Sequence, residues 1–350
     1  HRDLHSFPTR RSSDLEYARC PFRYMANYLM KLKKAEEPEE FLSSLETGNL
    51  IHGILNRFIR ELQREQALSF LGSIIAHVPG LPPMIQVNLD KEQYRRYLEK
   101  LLSIAAEELE ALRFEHPFFD IEVKRILGSS YSPGMLEKWL IAEINKPDNG
   151  FRPVLTELSF GLSGWGPSKR QAEIGAVKLG NGLLVKGKTD RIELLIREGR
   201  YFLAIADYKS GLKYIPGIND IINGKAFQMT LYLSAVAAIL RDYYGLGPVP
   251  AGVVYYSYNP EYSEKEKNYK LSEFTFFSEE FAADIPGMKK NGIMTPGGIE
   301  ELLEGSAGQA MKIVEGISGG KFNPLDKLSE SVCRQCPYIG LCRIGNNDVL

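Results

Sequence analysis

Two aspartates and a lysine lie near the ends of two adjacent predicted strands. The strands, 190–196 and 201–207, are joined by the tetrapeptide "REGR". If this joint is a hairpin with a two-residue turn, pairing places Asp190 directly opposite Asp207. Side chains opposed in this way have Cβ atoms about 5 Å apart on one face of the sheet. Lys209 follows Asp207 by two residues, so it points to the same face.

This arrangement predicts a site for a divalent cation. Two like charges beside an apolar face are unfavourable unless a cation neutralises them. Carboxylate oxygens without cysteine favour Mg²⁺ or Mn²⁺, and a neighbouring ammonium group can position a water or stabilise charge on a phosphoryl group. The alternative is an Asp207–Lys209 ion pair at the strand end, with Asp190 solvated at the mouth of the hairpin.

The elements that must position these residues change character at about residue 150. Residues 16–150 are predicted to be almost wholly helical, and the clearest helix is the amphipathic stretch 44–65. The later part is predicted to hold strands at 153–162, 182–196, 201–211 and 251–260, with helices at 224–244 and 298–320. The sequence therefore predicts a mixed α/β fold in which a helical N-terminal region precedes a mixed sheet flanked by helices.

The composition suits a folded protein with a large core. The chain has 350 residues, of which 44% are hydrophobic and 25% are charged. Its net charge of −1 favours no class of partner, so a nucleic-acid site would have to be a local basic patch. No apolar run approaches the ~18 residues of a membrane span, and four cysteines do not make a secreted disulfide scaffold. We expect a cytoplasmic protein without membrane attachment.

The first fifteen residues, "HRDLHSFPTRRSSDL", form a separate segment. They match, residue for residue, the translation of a common sequencing-adapter strand. We expect residues 1–15 not to be native, so they carry no information about fold or targeting. Residue 16 is then expected to lie inside a longer natural chain. A Gly-rich phosphate loop is missing from the sequence, so any ATP-driven motor is expected outside this chain.

The two strands resemble the PD-(D/E)XK nuclease superfamily, in its RecB-like branch. The segments "GKTDRIE" and "ADYKSG" match the family pattern of an aspartate on the second core strand and Asp-x-Lys on the third. The resemblance implies that Asp190 and Asp207 are metal ligands and that Lys209 is the catalytic lysine. It also implies that the Tyr208 carbonyl is a further ligand and that Glu157, on the preceding strand, has an ancillary catalytic role. A solvated glutamate at a strand edge is the alternative for Glu157.

Two helical motifs extend the resemblance. In "GNLIHGIL", Gly48-x-x-x-His52 matches the segment that carries a metal-binding histidine in the RecB-like branch, so His52 is expected to be a ligand rather than a structural histidine. In "FQMTLY", Gln228-x-x-x-Tyr232 resembles a motif that lies along the DNA path. Lys225 is predicted to share that helix face and to contact phosphate. A core tyrosine beside a solvated glutamine is the alternative.

The four cysteines form a one-plus-three pattern, with one near the start of the chain and three in "SVCRQCPYIGLCR" near its end. This pattern resembles the iron–sulfur clasp of AddB-type helicase–nuclease proteins, and it implies a structural [4Fe–4S] cluster. Zinc usually takes four cysteines as two short pairs, and disulfides are the weakest option in a reducing cytosol. The expected cluster ligands are Cys20, Cys333, Cys336 and Cys342.

Together these motifs predict a Mg²⁺-dependent DNA exonuclease in three native parts. They are a helical region (16–150) carrying Cys20 and His52, a nuclease core (151–322), and a cysteine clasp (323–350) that packs with Cys20. The resemblance implies the C-terminal part of an AddB-type helicase–nuclease subunit, with an AddA-like partner and single-stranded DNA at unwound ends as substrate. The alternatives are a free-standing RecB-like or CRISPR-associated iron–sulfur exonuclease and an inactive cluster-bearing DNA-binding module.

Overall fold

A computed structural model of the chain describes residues 6–7, 13–32, 41–68, 74–113, 118–162, 174–213, 215–264, 267–284, 288–334 and 336–344. The α-helices are α1 (Ser13–Arg19), α2 (Pro21–Tyr24), α3 (Ser44–Leu68), α4 (Tyr94–Glu110), α5 (Phe119–Leu127), α6 (Met135–Asn145), α7 (Ile218–Ile222), α8 (Gln228–Tyr244), α9 (Pro296–Ser318), α10 (Glu330–Cys333) and α11 (Ile339–Cys342). A π-helical turn covers Met25–Leu29, and 3₁₀ turns cover Lys91–Gln93, Glu279–Asp284 and Lys290–Gly292.

The strands are β1 (Ser6–Phe7), β2 (Ile74–Ala76), β3 (Met84–Ile85), β4 (Gly128–Ser129), β5 (Ser132–Pro133), β6 (Arg152–Phe160), β7 (Val177–Lys178), β8 (Leu184–Val185), β9 (Gly187–Arg197), β10 (Arg200–Lys209), β11 (Val249–Ser257), β12 (Tyr262–Ser263), β13 (Asn268–Tyr269), β14 (Ser272–Ser278) and β15 (Ile293–Met294). Within the described residues, the largest sheet has six strands in the order β15-β14-β11-β10-β9-β6. Its pairs β10–β11 and β14–β15 are parallel, and the other three are antiparallel. The predicted mixed α/β fold is confirmed.

A tight hairpin joins β9 to β10, as the sequence predicts. Glu198 and Gly199 form the turn and have φ values of 52° and 72°. Two successive left-handed residues are typical of a two-residue turn whose twist matches the flanking strands. The ladder runs from the pair Arg200–Arg197 to the pair Ala206–Arg191. The turn therefore sets the register of the whole hairpin.

Helices cover both faces of the six-stranded sheet. On one face, Ile192 and Ile205 belong to a core shared with α8 and α9. On the other face, Tyr208 and Tyr256 belong to a core shared with α3, α4 and α6. Four apolar residues of α3 are completely buried in this second core, and each such burial contributes about 1.5–3 kcal/mol. They are Ile54, Leu55, Phe58 and Ile59.

The two ends of the described chain are joined by tyrosines. The Tyr17 hydroxyl donates a hydrogen bond to the Lys321 carbonyl oxygen at 2.6 Å. The Tyr338 hydroxyl donates to the Leu32 carbonyl oxygen, also at 2.6 Å. The Tyr17 ring also packs edge-on against Phe322, with centroids 6.1 Å apart. These contacts hold the first helices against the segment that follows α9.

The structure corrects two predictions about helices. The region 16–150 is not almost wholly helical, because β2 with β3 and β4 with β5 form two small antiparallel hairpins. The helix predicted at 224–244 begins only at Gln228. Gly224 has a φ of 70°, and the backbone N–H groups of Lys225 and Ala226 both donate to the Asp220 carbonyl oxygen. The chain therefore turns before α8, and Lys225 does not share the helix face of Gln228 and Tyr232.

The expectation that residues 1–15 are not native falls mostly outside the described residues. Of that segment, Ser6–Phe7 pair in parallel with Leu184–Val185, and residues 13–15 begin α1. Across the part of the chain that the structure describes, no helix combines the length and apolarity needed to cross a bilayer.

Candidate active site

Three neighbouring strands bring three carboxylates to adjacent positions. The ladder partners on either side of Glu157 place it opposite Asp190 between β6 and β9. Between β9 and β10, the positions that follow the pair Ala206–Arg191 are Asp207 and Asp190. The hairpin predicted from the sequence thus puts the two aspartates face to face, and β6 adds a glutamate on the other side of Asp190.

Glu157 interrupts the regular pairing of β6. Its φ of 53° is left-handed, a conformation that costs a non-glycine residue on the order of 1–3 kcal/mol and is often found at functional sites. Such an irregularity in a strand redirects a side chain. The Glu157 carboxylate forms an ion pair with Lys188 of β9. Sequence motifs did not reveal Lys188, although its position two residues before Asp190 puts it on the same strand face.

Helix α3 brings His52 to the carboxylates. The imidazole Nδ1 lies 3.3 Å from Asp190 Oδ1, and Nε2 lies 3.2 Å from the Tyr208 carbonyl oxygen. The rings of Tyr208 and Tyr258 meet the imidazole edge-on, with centroids 5.6 Å and 6.1 Å away. Both ring nitrogens of His52 are therefore directed at groups of the β9–β10 hairpin.

Polar contacts fix the position of α3 on β6. The Thr156 hydroxyl donates a hydrogen bond to Asn56 Oδ1 at 2.6 Å. Gln63 Nε2 donates to the carbonyl oxygens of Val154 and Ile85 at 2.8 Å and 2.9 Å. Asn56 is one turn after His52, so these bonds set the distance between the imidazole and the strand that carries Glu157.

The trio of His52, Glu157 and Asp190 fits a single divalent cation. Each residue offers one ligand atom, and the three atoms lie within 4.8 Å of one another. An octahedral ion with bonds of about 2.1 Å holds its ligands roughly 3–4 Å apart, so only small side-chain shifts separate this trio from a coordinating geometry. Two carboxylates and one imidazole suit Mg²⁺ or Mn²⁺ among the common ions.

The pKa values of the two opposed aspartates move in opposite directions. Burial opposes ionisation of Asp190, but the hydrogen bond and charge of His52 and the Tyr208 backbone N–H, which donates to Asp190 Oδ2 at 2.9 Å, hold its pKa below the usual value. Burial, and then the negative charge of Asp190, raise the pKa of Asp207; Lys209 offsets this only in part. A bound cation would stabilise both carboxylates in the ionised form.

Asp207 and Lys209 form a pair beside the trio. Lys209 Nζ lies 2.5 Å from Asp207 Oδ2 and 5.7 Å from the centroid of the Tyr255 ring. Within the described residues, this buried carboxylate oxygen has no partner in hydrogen-bond geometry. The Lys209 side chain is 45% exposed. The structure thus puts Glu157 in the ligand trio, and it puts Asp207 and the Tyr208 carbonyl immediately next to it.

A buried ionic network lies behind the site, on the opposite face of β9. Arg191 Nη2 donates to Glu143 Oε1 of α6 at 2.7 Å and lies 2.5 Å from Glu193 Oε1. Arg191 Nη1 donates to the Tyr208 hydroxyl at 3.4 Å. The network ties α6 to the strand that carries Asp190. Sequence motifs did not predict it, because alternating charges on a strand are usually solvated.

The Gln228–Tyr232 pair is present on α8. Gln228 Nε2 donates a hydrogen bond to the Tyr232 hydroxyl at 3.1 Å. Tyr232 is only 4% exposed, and its ring packs edge-on against Phe160 with centroids 5.7 Å apart. Lys225 is exposed in the turn before the helix. The structure brings Gln228 and Tyr232 together and leaves Lys225 apart from them.

All four cysteines line one pocket between the two ends of the chain. Cys20 and Cys333 are buried, and Cys336 and Cys342 are partly exposed. Among the described residues, no three of their sulfurs come within the 4.8 Å that groups the His52 trio. The one-plus-three pattern of the sequence therefore corresponds to one place in the fold.

The chain is similar to proteins named as the B component of an "ATP-dependent helicase/deoxyribonuclease". It is 27% identical to that of Carboxydothermus hydrogenoformans over 363 residues, which cover 94% of this chain and 30% of the relative. The protein of Clostridium botulinum is 26% identical over 382 residues, with 98% and 31% covered. The protein of Listeria welshimeri is 26% identical over 251 residues, with 71% and 19% covered. The chain thus spans less than a third of the length of these relatives.

A family model described as the PD-(D/E)XK nuclease superfamily matches residues 13–343. This range includes α3 with His52 and the hairpin with Asp190, Asp207 and Lys209. The fold, the order of the acidic strands and the similarity to relatives agree, and the chain belongs to the PD-(D/E)XK nuclease superfamily.

Proposed function

We propose that this chain is a metal-dependent deoxyribonuclease that hydrolyses phosphodiester bonds in DNA. The main support is the convergence of His52, Glu157 and Asp190 within 4.8 Å, beside the Asp207–Lys209 pair. A carboxylate-rich cluster next to a lysine matches the requirements of phosphodiester hydrolysis, which needs a Lewis acid and a group that balances developing charge.

Each residue has a distinct role in this proposal. His52, Glu157 and Asp190 would hold the ion, with Asp207 and the Tyr208 carbonyl as further ligands. When bound, Mg²⁺ or Mn²⁺ would polarise the scissile phosphate and lower the pKa of a bound water. Lys209 is largely exposed and is held by Asp207, so its ammonium group can reach solvent, position the attacking water and balance charge on the phosphate.

Replacement of the central carboxylate tests this proposal. Asp190→Asn should lower Mg²⁺-dependent digestion of linear DNA by at least about 10²-fold, because the ligand trio loses a charge. The matched control is Asp242→Asn, which changes an exposed carboxylate of α8 that pairs only with Arg241 among the described residues. Unchanged digestion by a folded Asp190→Asn protein would refute the site.

We propose that the four cysteines hold a structural [4Fe–4S] cluster. The support is that all four line one pocket while their sulfurs are more widely spaced than a single metal ion requires. Four thiolates around one zinc lie about 3.8 Å apart, and a cube of four irons holds its thiolates farther apart. Such a cluster would join Cys20 to the C-terminal segment.

The relatives suggest a biological setting. We propose that the chain is the nuclease part of an AddB-type protein, which acts with an AddA-like helicase partner on single strands at unwound DNA ends. Support comes from the name that the relatives carry and from their additional length. Sequencing the natural reading frame upstream of residue 16 tests this. A helicase-like region is expected, and a start codon close to residue 16 would instead favour a free-standing exonuclease.

A further inference from the structure

Helix α3 carries a row of polar residues that begins at the metal trio. His52, Asn56, Arg60 and Arg64 follow one another at intervals of four residues, so they form one inclined row along the helix surface. His52 contacts Asp190, and Asn56 contacts Thr156, the residue before Glu157. The two arginines therefore continue the row from the site along β6.

The two arginines differ from the other basic residues near α3. Arg57, on a different face, is bound to Glu61, Glu107 and Glu108 at 3.1 Å, 2.6 Å and 3.3 Å. In the ranges that the structure describes, neither Arg60 nor Arg64 has an acidic partner within ion-pair distance. The row thus offers guanidinium groups that protein carboxylates do not neutralise.

The arrangement breaks a local rule of helix stability. Like charges four residues apart destabilise a helix by a few tenths of a kcal/mol. Burial, and next the charge of Arg64, lower the pKa of Arg60, while the carboxylate of Glu157 acts in the opposite direction. Arg60 is therefore partly desolvated beside the candidate active site, where an anion would relieve both unfavourable contributions. Local rules are broken most often at functional sites.

We propose that Arg60 and Arg64 bind successive phosphates of the DNA strand and direct it along α3 to the metal trio. The proposal rests on the proposed function, since it names the track by which that substrate reaches the site. Planar guanidinium groups are well suited to phosphate oxygens. Each contact fixes the position of the strand without selecting a base.

The test measures DNA binding without catalysis. A fluorescent oligothymidylate is titrated with the full chain in EDTA, and the dissociation constant is followed over a salt series. Each lost phosphate contact on single-stranded DNA reduces the slope of log affinity against log salt by about 0.7. The double variant Arg60→Gln/Arg64→Gln should therefore give a slope shallower by about 1.4, and the exposed single variant Arg64→Gln a slope shallower by about 0.7.

Two controls isolate the row. Arg60→Lys/Arg64→Lys keeps the charges and should keep the slope, whereas Arg57→Gln removes a guanidinium already bound by three carboxylates and should leave it unchanged. With Mg²⁺ present, the double glutamine variant should raise KM for DNA and keep kcat within about twofold, because the row positions the strand. A wild-type slope in both glutamine variants would overturn the proposal.

The outcome also separates this proposal from the proposed function. A chain that binds DNA through Arg60 and Arg64 but cuts none would retain the track and refute the nuclease. A chain that cuts DNA while both glutamine variants keep the wild-type slope would retain the nuclease and refute the track.

Discussion

Tyr232 packs so closely against Gly187 that a Cβ atom on Gly187 would lie 2.6 Å from the Tyr232 hydroxyl oxygen. Gly187 begins β9, three residues before Asp190, and Tyr232 belongs to the Gln-x-x-x-Tyr motif of α8. The glycine therefore allows α8 to approach the strand that carries the central carboxylate. This contact gives the tyrosine of the motif a packing role, whatever its role along the DNA path.

Gly187→Ala should destabilise the protein by about 1–3 kcal/mol, the usual result of overpacking a core. Urea unfolding measures the change, and Gly175→Ala is the matched control because a Cβ at Gly175 would meet nothing within 4 Å. Shortening the neighbour with Tyr232→Leu should make the alanine less unfavourable. An equal cost of Gly187→Ala in both backgrounds would show that the Tyr232 ring is not the obstacle.

Glu157→Gln should weaken Mn²⁺ binding by at least about tenfold, because the trio loses one of its two carboxylate charges. Calorimetric titration of the metal-free protein with Mn²⁺ measures the affinity directly. Glu110→Gln serves as the control, since that carboxylate is exposed and pairs with Arg113 just beyond the end of the same helix. If Mn²⁺ binds equally well to both variants, Glu157 is not a ligand.

The stability of the fold should fall in acid through Glu143. Burial opposes ionisation of this carboxyl, but the charges of Arg191 and Lys146 lower its pKa from 4.5 to about 2. A pKa that is lower in the folded state stabilises the protein above pH ~4.5, and the contribution, roughly 3 kcal/mol, is lost as the pH falls toward ~2. Urea unfolding between pH 7 and pH 3 should show this loss.

Glu143→Gln separates this carboxyl from the others. The variant should be less stable at pH 7, because Arg191 loses a buried charged partner, and its stability should decrease less steeply between pH 4.5 and pH 3. The exposed Glu99→Gln variant should follow the wild-type curve. A Glu143→Gln protein with the wild-type acid profile would rule out Glu143 as the source of the acid sensitivity.

Each of the four cysteines should be needed for iron. Cys20→Ser should lose iron, the brown colour and stability together, although Cys20 is far in sequence from the other three. The same loss is expected for Cys336→Ser, because a [4Fe–4S] cluster has one thiolate for each iron. Iron and zinc analysis with thermal unfolding measures both effects. A colourless, zinc-loaded and fully stable wild-type protein would contradict the cluster.

The sequence predicts the β9–β10 hairpin well because the signals for it are local. The dipeptide Glu198-Gly199 allows two left-handed residues, and alternating apolar residues assign one face of each strand to the core. The turn fixes the register, and the register places Asp207 opposite Asp190. The prediction of the paired aspartates needed no information from distant parts of the chain.

Other parts of the site depend on contacts between distant segments. The place of His52 depends on how α3 docks on β6, through Asn56 and Gln63. The inclusion of Glu157 in the trio depends on its left-handed backbone, a local exception that strand periodicity does not show. Lys225 was assigned to the wrong surface because the bond from its N–H to Asp220 ends the turn before α8. Packing, not propensity, decides such positions.

The tyrosine contacts between the two ends of the chain have a mechanical consequence. A pulling force applied to residues 16 and 343 would act first on the hydrogen bonds of Tyr17 with Lys321 and of Tyr338 with Leu32. The six-stranded sheet lies between these contacts in sequence, so tension would reach it only after they break. The strands that carry Glu157, Asp190 and Asp207 are thereby shielded from loads transmitted along the polypeptide.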